Sequence, residues 1–127
     1  MLDDDSAMAE LKLRVAKFTA DRDWEQFHDL KNLSMAISTE AAELMDHFRW
    51  VPNTEANSTL DAPDVRAAVE HEVADVLLLL VDFANAAGID LLAAADEKLK
   101  LNEQRYPVEK AKGNALKYDQ LATESRD

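Results

Sequence analysis

The residues with the clearest chemical potential in this chain are two acid pairs, Glu40-Ala-Ala-Glu43 and Glu72-Val-Ala-Asp75. Acids three residues apart on a helix project from one side of it. A single such pair is ordinarily a solvated face, but these two are set in apolar surroundings. Glu40 follows Leu33 and Ile37 and precedes Leu44 on one helical face, and Glu72 lies between Val69 and Val76. Leaving both acids in water would expose those neighbours, and facing them inward sets like charges together at a cost of several kcal/mol per ion unless a cation compensates. We therefore read Glu40, Glu43, Glu72 and Asp75 as a metal site. All-oxygen ligation with no cysteine in the chain points to Mg²⁺, with Mn²⁺ as its usual substitute, and away from zinc. Such a site keeps waters and accepts phosphate oxygens, which is how an acidic pocket comes to bind an anion.

Helices must position these acids. Two glycines and three prolines in 127 residues leave little to interrupt them. The periodicity predicts an all-α protein: a first helix from about Ser6 to Ala20, a second from Lys31 to Trp50, a third from Asp64 to Ala87 and a fourth capped by Asp90 and ending at Tyr106-Pro107. Asp21 to Leu30 breaks the pattern and reads as a loop or short turn, and residues 51–63 as a polar surface connection. The third helix is apolar nearly all round over residues 76–83, as in the central helix of a four-helix bundle. We expect one domain over residues 1–127, with a core of about 6–107 and a polar tail, 108–127, that is disordered or laid on a neighbouring subunit.

The net charge of −12 excludes a protein that neutralises a nucleic-acid polymer or docks on anionic lipid. The longest apolar run, Val76 to Val81, is far short of a membrane span, and the acidic start is the reverse of a signal peptide, so a cytoplasmic protein is expected. No cysteine means no thiolate nucleophile.

Lys98 and Asn102, one helical turn apart, would suit distal phosphates or would be a solvated lysine beside a helix-end asparagine. Trp24 and Trp50 are flat enough to stack on a base, or to cover the end of a bundle. Family resemblance bears on both pairs. Arg22-Asp23-Trp24-Glu25-Gln26-Phe27-His28, Lys31-Asn32-Leu33, Glu40-Ala41-Ala42-Glu43-Leu44, Phe48-Arg49-Trp50, Glu72-Val73-Ala74-Asp75-Val76-Leu77, Gly88-Ile89-Asp90-Leu91, and Lys98 with Asn102 and Arg105-Tyr106-Pro107 follow in order through about Arg22 to Pro107. In these segments the chain resembles the MazG-like superfamily of all-α nucleoside triphosphate pyrophosphohydrolases, and most its dCTP pyrophosphatase branch.

The resemblance implies Mg²⁺-dependent hydrolysis of a nucleoside triphosphate to monophosphate and pyrophosphate, a house-cleaning activity on the nucleotide pool. It implies metal ligation by Glu40, Glu43, Glu72 and Asp75; the sequence does not decide which carboxylate orients the water, and Glu43 is our choice for it. By the same resemblance Lys98 and Asn102 would hold phosphates and Trp24 and Trp50 would bind the base with Phe27 and His28 nearby; Arg105 would be a further phosphate contact or, with Tyr106-Pro107, pack at the helix end, and His28 would contact the base or a phosphate or lie on the surface. A homotetramer, a dimer of dimers, is expected. Where that branch commonly carries a tyrosine near the base, this chain has Leu79. A hydroxyl lost there implies relaxed selectivity: dCTP or modified dCTP, with dATP also accepted. The alternatives are a dUTP-preferring or broad pyrophosphatase and, from another class, a non-catalytic Mg²⁺-binding helical module.

Overall fold

A computed structural model describes residues 4–124. Its long helices are α1 (Asp4–Asp21), α2 (Leu30–Asp46), α3 (Pro63–Ala87) and α4 (Leu91–Arg105), followed by the short α5 (Val108–Ala111) and α6 (Tyr118–Glu124). No strand occurs among the described residues, as the sequence predicts for an all-α protein. The chain divides into two compact units, one ending at Ile89 and the other beginning at Asp90.

In the first unit α2 packs along α3 over the most extensive interface, and α1 lies on α3 as well. The core is small and drawn from all three helices: Val15 of α1, Leu33 of α2, and Val69, Val81 and Ala84 of α3 are each less than a tenth exposed. Thr19 is the buried polar residue among them, and its hydroxyl donates to Asp82 Oδ1 at 3.1 Å. Phe18, three residues after the buried Val15, is half exposed and meets Trp24 edge to face, with ring centroids 5.7 Å apart. One residue further round the helix, Thr19 takes the buried place, and its bond to Asp82 satisfies the hydroxyl there.

Local chemistry sets the helix ends. Asp29 caps α2 by accepting from the Asn32 amide at 2.9 Å. Pro63 opens α3, where its missing N–H costs nothing. Gly88 closes α3 in the left-handed conformation, φ +67°, and its amide reaches back to the Ala84 carbonyl. Helix α2 ends at Asp46 and not at Trp50. Beyond it His47, Phe48 and Val51 donate to carbonyls three residues back, so the chain winds on in tighter turns up to Pro52. Residues 51–63, expected to be irregular, carry two 3-10 turns, Asn53–Glu55 and Asn57–Asp61. Glu25–Phe27 forms another, in the expected position.

In the second unit, Asp90 caps α4 as its sequence suggests, accepting from the Ala93 amide at 3.0 Å. Residues 108–124, read from composition as a tail, contain α5 and α6. The Arg105 guanidinium lies 4.5 Å from the centre of the Tyr118 ring, a cation–π contact tying α4 to α6. No single described helix is long and apolar enough to cross a membrane.

Candidate metal centre

The acid pairs lie on α2 and α3, the two helices that pack most extensively. Glu40 and Glu43 are one turn apart on α2, and Glu72 faces them from α3. One carboxylate oxygen from each of the three falls within 4.8 Å of the others. Glu40 and Glu72 are partly buried and Glu43 is exposed, so the group is open to solvent on the Glu43 side.

The electrostatics are those of an uncompensated anionic site. Oε2 of Glu40 and Oε2 of Glu72 are closed to solvent and have no hydrogen-bond partner. Two ionised carboxylates cannot bond to each other, since neither has a proton to donate. A proton on one creates the missing donor. Accordingly the Glu40 carboxyl is pushed up to about 7, chiefly because its protonated form can hydrogen-bond Glu43, then by partial loss of water, then by the charges of Glu43 and Asp75, and last by a hydrogen bond with Glu72. Asp75 is thus close enough to be felt, one turn beyond Glu72. Converging oxygens and orphaned buried acceptors fit a hard divalent cation, which Glu40, Glu43 and Glu72 would hold and whose charge would offset part of their repulsion.

The other residues singled out by sequence are distributed as follows. Trp24 is partly exposed and sits beside His28, ring centroids 6.4 Å apart. Phe27 is largely exposed. Trp50 is 82% exposed and carries the Arg49 guanidinium 4.4 Å from its ring centre, so little in the first unit covers its faces. Lys98, Asn102 and Arg105 all lie on α4 in the second unit. The Asn102 backbone carbonyl accepts the Tyr106 amide at 2.8 Å, at the end of α4. Arg105 already has a structural use, against Tyr118.

Two polar residues of α1 and α3 went unremarked in the sequence: Thr19 and Asp82. Asp82 is partly buried within the most apolar stretch of α3. An acid inside an apolar helical run is the same signal that marks Glu40 and Glu72. It was masked by the leucines around it.

The sequence profile of the MazG-like family matches residues 35–121. The chain belongs to the MazG-like family. It is 40% identical over 114 residues to dCTP pyrophosphatase 1 of Mus musculus and 37% identical over 114 residues to that of Homo sapiens, in each case spanning 90% of this chain and 67% of the relative. Among solved structures it is similar to a pyrophosphatase from Archaeoglobus fulgidus, with a TM-score of 0.74 and 35% identity, covering 80% of this chain and 93% of the other. The family segment contains both acid pairs and all of α4.

Proposed function

We propose that this MazG-like protein is a divalent-cation-dependent nucleoside triphosphate pyrophosphohydrolase that converts a deoxynucleoside triphosphate, dCTP or a modified dCTP foremost, to the monophosphate and pyrophosphate. The observation that carries the reading is the convergence of Glu40, Glu43 and Glu72 oxygens within 4.8 Å across α2 and α3. Relatives that are pyrophosphatases support the reaction class, and two of them are named for dCTP.

Glu40, Glu43, Glu72 and Asp75 would hold Mg²⁺, for which Mn²⁺ can substitute. The bound cation supplies charge compensation and polarises the phosphoryl oxygens. Hydrolysis adds the elements of water across the α,β-anhydride bond, and pyrophosphate leaves. A carboxylate must orient the water and take its proton. Glu43 suits that role because it alone of the converging three is exposed. Lys98 and Asn102 then serve the distal phosphates, one as a point charge and the other as an amide donor, with Arg105 as an additional contact if it leaves Tyr118. Trp24 and Trp50, with Phe27 and His28, provide aromatic surface for the base.

The test is pyrophosphate release from a panel of dNTPs and NTPs, with Mg²⁺ and with EDTA, for the wild type and for Glu43→Gln. We expect monophosphate and pyrophosphate from the wild type with Mg²⁺ alone, dCTP ranking first, and a rate about 100-fold lower or worse in the variant. A folded wild type that turns over no nucleotide would leave a cation-binding helical module in place of an enzyme.

A further inference from the structure

Away from the acid cluster, the first unit holds a cavity of about 320 Å³ lined by Thr19 of α1, Glu25 and His28 of the α1–α2 connection, and Asp82 and Asn85 of α3. That volume lies within the range of small-ligand sites. Part of its polar lining is spent within the protein, since Asn85 Nδ2 donates to the Lys12 carbonyl at 3.1 Å. Asp82 Oδ1 accepts from Thr19 Oγ1 at 3.1 Å and has His28 Nδ1 at 3.9 Å, whereas Oδ2 has no hydrogen-bond partner among the described residues. Nδ1 of His28 is closed to solvent and also lacks a partner. The Asp82 side chain is only 15% exposed, and burial raises its carboxyl pKa against the opposing effects of Thr19 and His28. A polar group so placed gains from a ligand that restores the lost hydration.

Helix α3 relates this cavity to the metal centre. Asp82 follows Asp75 by seven residues, which is roughly 10 Å along the axis and within about 20° of the same face. A triphosphate chain with its sugar covers such a distance, so a nucleotide whose phosphates lie at the acid cluster can bring its base to Asp82. The Trp24 ring, beside His28, stands at the same end of the unit.

We infer that the free carboxylate oxygen of Asp82, with Thr19 fixing the other, accepts a hydrogen bond from the exocyclic amino group of the substrate's base and is the group that separates amino bases from keto bases. Cytosine and adenine present an N–H₂ donor on that edge; uracil and thymine present a carbonyl, whose lone pairs would face those of the carboxylate. The inference rests on the nucleotide reading above and adds its specificity-determining residue. It names Asp82 and Thr19, neither of which contributes to the metal centre.

The experiment compares kcat/KM for dCTP and dUTP in the wild type and in Asp82→Asn. Thr19 continues to donate to Oδ1 of the asparagine, so the amide nitrogen replaces the free oxygen and offers a donor to the keto base. We expect the dCTP-to-dUTP ratio to fall about tenfold or more, equivalent to ~1.4 kcal/mol, with efficiency on dCTP dropping and that on dUTP held or raised. An equal loss on both substrates, as from a merely structural role, overturns the inference. Should Asp82→Asn not fold, wild-type kcat/KM for the dCTP analogue with hydrogen in place of the 4-amino group decides: about tenfold below dCTP supports it, equality overturns it. A wild type inactive on every nucleotide overturns the nucleotide reading together with this one, whereas an active wild type with an unchanged ratio in the variant overturns this one alone.

Discussion

At the scale of single residues, Glu40 ties the metal centre to stability. Its folded-state pKa lies above the ordinary 4.5, so the metal-free fold binds this proton more tightly than the unfolded chain does. The resulting stabilisation is complete below pH 4.5 and is lost as pH rises to about 7. In EDTA, therefore, Glu40→Gln should melt above the wild type at pH 8, and the gap should close as pH falls towards 4.5, as read by Tm across a pH series. Saturating Mg²⁺ should reverse the order at pH 8, since the variant loses a ligand. The sequence made Glu40 and Glu72 legible because each interrupts an apolar face, and Glu43 and Asp75 were read with them as the acids three residues on. Asp82 obeyed the same rule and escaped notice, since a run of leucines conceals periodicity: when every neighbour is apolar, no face stands out. Its partner Thr19 could not have been found from sequence, because the pairing spans 63 residues.

At the scale of elements, the helix starts were written in the chain. Asp90 before α4 and Pro63 at the head of α3 are local signals, readable because they act within a turn of where they stand. The end of α2 was not, because winding continues past Asp46 and only the hydrogen-bond step tightens from four residues to three. Two substitutions test the junction between α3 and α4. Asp90→Ala removes the acceptor for the Ala93 amide and should cost about 1 kcal/mol in urea unfolding. Gly88→Ala meets no atom within 4 Å but must hold φ +67°, so it too should cost about 1 kcal/mol, from the backbone alone. Each should leave the urea m-value unchanged. The helices in residues 108–124 had no such signal: their polar, mixed composition carries no apolar stripe, and a contact such as Arg105 on Tyr118 joins elements rather than neighbours in sequence.

At the scale of the whole molecule, much apolar surface remains open. Val73, Leu77 and Leu80 recur at i, i+4 and i+7 along α3 and are 51%, 41% and 38% exposed, a stripe that water does not favour. Packing between copies of the chain would bury it, in keeping with a homotetramer. Light scattering at micromolar concentration should give a tetrameric mass, and Leu77→Lys with Leu80→Lys should lower that mass and make Tm fall; a monomeric wild type would contradict the assembly. An α3 with acids at 72, 75 and 82 is also a ruler, graduated by the rise of one residue. Exchanging an exposed side chain between Asp75 and Asp82, such as Leu78, leaves that spacing unchanged. Inserting or deleting one residue there would turn everything beyond it by about 100° and shift it by ~1.5 Å, carrying Asp82 away from Thr19 while leaving the acid pairs where they are. The length of the segment is therefore held by Asp82 as firmly as its composition is held by the buried Val81.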